Sequence, residues 1–158
     1  MTLKQHAIQA SVGSAILAPF LGVDVITFFL SVIFIDIDHY FEFVVVCRRF
    51  RIKDMFRYYD WVLHEEHAIY GLSIFHTAEM FLLLFILGFW SYYFWLILFG
   101  FSVHLMFDLY HLYMHNHLLY RAFSIIEYLI RSKGVKCHPV PEKEFWDNIK
   151  KQDWREII

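Results

Sequence analysis

The sequence predicts an all-α fold: a polytopic four-helix membrane bundle followed by an amphipathic cytoplasmic tail. Three observations carry this expectation. Hydrophobic residues make up 59% of the 158-residue chain, where soluble domains carry about 45–50%. They are concentrated in runs of roughly 17–25 residues, the length a helix needs to cross a bilayer core. The runs are interrupted by few ionisable residues, and those few recur at helical spacing.

The first predicted helix covers about Thr2 to Ala18 and stops near Pro19 and Gly22. It is rich in small residues (Ala7, Ala10, Ser11, Gly13, Ser14, Ala15), which let helices approach closely in lipid. The N-terminus matches a signal peptide only weakly, with a single lysine and no persuasive cleavage site, so it is kept as part of the bundle. The second helix covers about Asp24 to Val46, with Asp24 read as a helix cap. The third runs from near His64 to about Gly88, and the fourth from about Tyr92 to His117. Trp90, Tyr92, Tyr93 and Trp95 cluster at the last turn and read as an interfacial aromatic belt.

The loop between helices two and three, CRRFRIKDMFRYYD, sets Arg48, Arg49, Arg51, Lys53 and Arg57 against Asp54 and Asp60. The positive-inside rule puts it in the cytoplasm, with both termini. The same cations suit anionic headgroups. The bundle is assigned to residues 1–117 and the tail to 118–158. Within the tail RAFSIIEYLIRSK is amphipathic enough to lie on a membrane surface, and PEKEFWDNIKKQDWREII reads as a peripheral helix. The net charge of -2 gives no reason to expect a nucleic-acid partner. Cys47 and Cys137 suggest neither a disulfide framework nor a CxxC site.

Ionisable groups at membrane depth are costly unless they are paired or bind something. His104, Asp108 and His111, offset by four and three, share one face of helix four. Helix two carries Asp36, Asp38 and His39, and helix three carries His76 and Glu79 three residues apart. Counted from the two non-cytoplasmic turns near residues 21 and 90, His6, Asp36, His76 and His104 each lie roughly 21–23 Å deep. Four polar residues from four helices at one level predict a metal site in a bundle core. The ligand set read from the sequence is His6, Asp36, Asp38, His39, His76, Glu79, His104, Asp108 and His111. It is more than one ion needs, so two or three divalent ions are expected. Mixed imidazole and carboxylate ligands suit zinc, manganese or iron. His64 and His67 form HEEH, which is not HExxH, and are read as interfacial.

The early His6, the DxDH of Asp36, Asp38 and His39, the His76 motif and the HxxxD of His104 and Asp108 resemble the inner-membrane metal-dependent hydrolases. These are small bacterial and archaeal membrane proteins sometimes described as LexA-binding. The resemblance covers about residues 6–111. Where that family carries HRGxTHS, this chain reads HEEHAIYGLSIFHTAE. The motifs are also similar to those of the zinc-dependent phospholipase C and single-strand nuclease superfamily, all-helical proteins with a three-zinc site. The resemblance implies a prokaryotic inner-membrane hydrolase, with the bilayer as partner, and supplies a reaction class rather than a substrate. The level of the site, toward the cytoplasm at headgroup depth, makes a phospholipid or other lipid-like phosphoester of the inner leaflet the expected substrate. Zinc is the expected metal, and Asp36 or Asp38 would orient the attacking water or accept its proton. Two rival expectations stand beside it. One is a membrane di-iron oxidoreductase of the desaturase or hydroxylase kind, motivated by ten histidines. The other is a non-catalytic haem- or metal-binding membrane protein, with His76 and His104 as axial ligands. The sequence leaves the oligomeric state open.

Overall fold

A computed structural model of the chain describes residues 3–64, 71–114, 122–134 and 141–149. Apart from a bridge residue at Gly71, the regular structure described is helical. The helices are α1 (Leu3–Leu21), α2 (Val25–Phe34), α3 (Ile37–Cys47), α4 (Ile52–His64), α5 (Ala78–Leu87), α6 (Tyr92–Met114), α7 (Ile125–Arg131) and α8 (residues 143–149). Short 3₁₀ turns lie at Gly22–Asp24 and Ile74–His76. Two helical stretches, Gln5–Cys47 and Tyr92–Met114, are long and apolar enough to cross a membrane.

The first stretch is not a single rod. At 1.5 Å per residue, a straight helix would hold His6 and Asp36 about 45 Å apart, yet their side chains are 3.3 Å apart. The chain reverses at Gly22, whose φ of +55° is a conformation that glycine adopts without a Cβ clash. Helix α2 therefore packs back along α1, and its other side packs on α6. The crossing with α6 is close because Gly100 carries no side chain. A Cβ there would overlap the Ser31 hydroxyl. At the turn end, the Tyr92 and Tyr93 hydroxyls donate to the two Asp24 oxygens at 3.0 and 3.3 Å. Asp24 thus joins the two turns instead of capping α2 with its side chain.

Two expected helices are broken. The second divides at Ile35–Asp36 into α2 and α3. Asp36 sits at the N-cap of α3 without capping it, because its carboxylate turns toward the imidazoles of His6, His39, His76 and His104. The third is interrupted before α5, because Thr77 adopts an extended conformation (ψ 152°) and its hydroxyl caps α5 by accepting from the Met80 N–H. Ten residues of helix span about 15 Å, half a hydrocarbon core.

The basic loop contains an unexpected helix. α4 is amphipathic, and its Tyr58 packs with Phe43 of α3 and with Trp146 and Ile149 of α8. Asp54 is buried beneath Arg49, 3.1 Å away, and the Arg49 guanidinium lies 4.1 Å from the Trp146 ring centre. The described tail is thus docked onto the helices that precede it. Ala122 N–H donates to the Gly71 carbonyl, and Ala78 N–H to that of Phe123.

The distribution of polarity is inverted relative to a water-soluble domain. Phe20, Val23, Val45, Leu82 and Trp90 are exposed, while His6, Asp38, His76, His104 and Asp108 are buried.

Candidate metal centre

The centre lies where the two helix breaks face α6. Along α6, Leu96, Gly100, Phe101, His104 and Asp108 are buried and follow one stripe. His104 and Asp108 are one turn apart, so both reach the same point. The break before α3 delivers Asp36, and the 3₁₀ turn before α5 delivers His76. Together Asp36, His76, His104 and Asp108 form a buried cluster able to chelate a divalent ion. Each offers one ligand atom, and these atoms lie within 4.8 Å of one another.

The imidazoles are oriented from behind. His104 Nδ1 is 2.8 Å from the Val32 carbonyl oxygen. A carbonyl only accepts, so Nδ1 carries the proton, and in the neutral ring Nε2 is left with a lone pair. His76 Nδ1 is 3.3 Å from Asp38 Oδ2, which also accepts from the Phe75 N–H at 2.8 Å. Both Nε2 atoms point into the cluster and have no hydrogen-bond partner among the described residues. This is the arrangement that outer partners impose on metal-binding histidines.

The spacing of the ligand atoms fits a ligand cage. His104 Nε2 is 3.3 Å from Asp36 Oδ1 and 3.6 Å from Asp108 Oδ2. His76 Nε2 is 3.5 and 3.8 Å from the same two oxygens. Charge-assisted hydrogen bonds close to about 2.7–2.9 Å. A tetrahedron with bonds of about 2.0–2.1 Å has edges of about 3.3–3.4 Å. The four imidazole–carboxylate separations are longer than good hydrogen bonds and close to the edges of such a tetrahedron.

All four residues expected at one depth meet here. His6 arrives through the other Asp36 oxygen, Oδ2, at 3.3 Å, and its ring stacks on His104 with centroids 4.4 Å apart. Asp38 stands behind His76. His39 forms a second group with Asp38 and His76, but that group shares His76, whose Nδ1 already faces Asp38. The cluster of Asp36, His76, His104 and Asp108 is able to hold one divalent ion.

Glu79 does not join the centre. The extended Thr77 breaks the helical face that would have aligned it with His76. Its carboxylate instead accepts from Ser124 Oγ at 2.5 Å and from Ile125 N–H at 3.0 Å, at the start of α7. His111 lies further along α6 and belongs to neither group. The side chains of His64 and His67 fall outside the described residues.

Three contributors had no sequence signal of their own. The Val32 carbonyl is backbone and invisible to motif reading. Tyr59, from α4, places its hydroxyl 3.0 Å from the His39 carbonyl and 2.9 Å from the Glu42 carboxylate. Burial, followed by the Glu42 charge, pushes the Tyr59 phenol above its ordinary pKa and keeps it a donor. Ser73 Oγ lies 3.4 Å from His39 Nδ1.

No family model, no curated protein and no solved structure matches the chain.

Proposed function

We propose that the chain is a membrane-embedded, metal-dependent hydrolase whose substrate is a lipid-like phosphoester, with zinc as the ion. The observation that carries this reading is the convergence of two rear-anchored imidazoles and two carboxylates on one buried point. Membrane residence is supported by the apolar exterior wrapped around that polar centre. The resemblance of the DxDH and HxxxD motifs to inner-membrane metal-dependent hydrolases points the same way.

A bound divalent ion would supply Lewis acidity and make water a nucleophile near neutral pH. The protein's own groups do the rest. Val32 and Asp38 hold the two imidazoles with Nε2 inward. Asp36 is the most exposed member of the cluster, with a quarter of its side chain accessible against a tenth for Asp108, while His76 and His104 are sealed. Substrate approach is therefore from the side of Asp36, and this carboxylate orients the incoming water and takes its proton. Asp38 is a positioning residue, since its Oδ2 already accepts from Phe75. The haem alternative fits less well, because carboxylate oxygens lie within 3.8 Å of both Nε2 atoms, where a porphyrin would have to pass.

The test is elemental analysis of detergent-purified protein beside the His104→Ala/Asp108→Ala variant, followed by phosphodiester and phospholipid hydrolysis assays. One ion per chain, lost in the variant, together with variant-sensitive hydrolysis is the expected result. A wild-type chain that takes up no zinc, manganese or iron on refilling would leave these residues as packing contacts and end the enzyme reading.

A further inference from the structure

The loop after α3 and the first turns of α4 alternate exposed cations with exposed apolar side chains. Arg48, Arg51 and Lys53 are exposed and have no ion-pair partner among the described residues. Between and beside them, Phe50 is 73% exposed, Ile52 60% and Phe56 44%. These apolar side chains are not leftover core, because α4 already has one. Tyr58, Met55 and Val62 pack toward Phe43 and Trp146 on its other side. Arg49 is occupied by Asp54 and Trp146, so the segment has a docked face and an unpartnered one.

The unpartnered face is held in place by the fold. Arg48 ends α3 in the left-handed conformation with φ 55°, and the Tyr40 hydroxyl donates to the Phe50 carbonyl at 3.0 Å. The patch therefore projects from the end of α3, about 16 Å along the helix axis from Asp36. That distance puts it at headgroup level if the centre lies in the hydrocarbon.

We propose that Arg48, Phe50, Arg51, Ile52, Lys53 and Phe56 form an interfacial anchor for anionic phospholipid on the cytoplasmic leaflet. The cations would meet the phosphates, and the three apolar side chains would enter the acyl boundary. A soluble polyanion would satisfy only the charges, and a neutral bilayer only the apolar residues. The alternation of both selects an anionic membrane surface. The inference rests on the membrane residence proposed above, and adds a lipid preference that the metal centre does not require.

The experiment uses the full chain carrying Cys47→Ala, Cys137→Ala and Ile52→Cys, labelled at residue 52 with an environment-sensitive fluorophore. It is placed in nanodiscs of phosphatidylcholine, with or without one-third phosphatidylglycerol. The expected result is blue-shifted emission and quenching by brominated lipid in the anionic discs, reversed by high salt. Adding Arg48→Gln, Arg51→Gln and Lys53→Gln should lower the immersed-to-free ratio on the order of a hundredfold, at about fivefold per cation. A label placed through Asp60→Cys, at the far end of the same helix face, should stay wet and shows that the fluorophore does not itself draw the segment into lipid. Water-like, unquenched emission from residue 52 in anionic discs overturns the anchor, as does immersion indifferent to the triple substitution. Flotation with vesicles separates the two readings. A chain that floats with residue 52 dry only in anionic discs supports both. A chain that floats with residue 52 wet loses the anchor alone, and one that does not float loses membrane residence with it.

Discussion

His76 and His104 reach the same point by different means. His104 is fixed by a backbone carbonyl of α2, which mutation cannot delete, whereas His76 depends on the Asp38 carboxylate. Removing Asp38 should therefore weaken metal binding without abolishing it. Outer partners of ligating histidines are worth about 10–100-fold in affinity, and Asp38→Ala should lose that much while still filling at high metal concentration. Asp38→Asn keeps an acceptor oxygen and should lose less. Competitive zinc titration against a chelating dye measures both, and an unchanged affinity in Asp38→Ala would mean that His76 is held by something else. His104→Ala removes a ligand outright and should not fill within the same range. Glu79→Ala supplies the opposite control. It should leave metal content intact but accelerate amide exchange at the start of α7 by at least about tenfold, through the loss of the charge-assisted contacts to Ser124 Oγ and Ile125 N–H. Metal loss in that variant would return Glu79 to the ligand set.

At the scale of elements, the centre depends on where helices stop as much as on where they run. The face of α6 was legible from spacing alone, because nothing interrupts the helix between Tyr92 and Met114. The common depth of His6, Asp36, His76 and His104 was legible because it depends only on the distance from two turns, and Asp24 does tie those turns together. The direction in which Glu79 points was not legible, because that inference carried helical periodicity through Thr77, whose extended backbone resets it. The break at Asp36 was hidden for a related reason. The sequence there has no glycine or proline to end a helix, and the three imidazoles brought by other segments pull the carboxylate out of line. Helix α4 was hidden because its cations dominated the reading of the loop, while its buried stripe of Asp54 and Tyr58 makes sense only against α3 and α8. The α2–α6 crossing can be tested directly. Gly100→Ala forces a Cβ into Ser31, and overpacking of this kind costs about 1–3 kcal/mol. Since Ser31 also belongs to the helix that carries Val32 and leads into Asp36, the variant should lose thermal stability and metal affinity together. Adding Ser31→Gly should recover much of both. Equal thermal stability in Gly100→Ala and wild type, measured in detergent, would mean that the helices are free to separate there.

At the scale of the whole molecule, the arrangement of polarity defines two ends. One end holds the turns at Gly22–Asp24 and near Trp90, joined through Tyr92 and Tyr93. The other holds Arg48–Arg57, α4 and the docked α8. Between them the surface is apolar and the interior holds histidines and aspartates. In water this distribution would expose a large continuous apolar surface, which a soluble monomer rarely tolerates. In a bilayer the same distribution buries its costly groups and presents its cheap ones. The proposed orientation therefore makes a specific accessibility prediction. Single cysteines replacing Val23 or Ser91 should react with a membrane-impermeant maleimide from outside intact cells. Cysteines at Lys53 or Gly134 should react only after the membrane is opened, because the cations of the loop favour the cytoplasmic side. Each variant is made in a chain lacking Cys47 and Cys137, so that one thiol reports. Labelling of all four positions from the same side would show that the two ends do not straddle a bilayer. The centre would then have to be understood as the core of a helical assembly whose apolar surface is covered by protein. Labelling in two groups, with the whole pattern reversed, would keep the bundle and its metal chemistry. It would turn the exposed side of Asp36 toward the outer leaflet, where a different pool of phosphoesters would meet it.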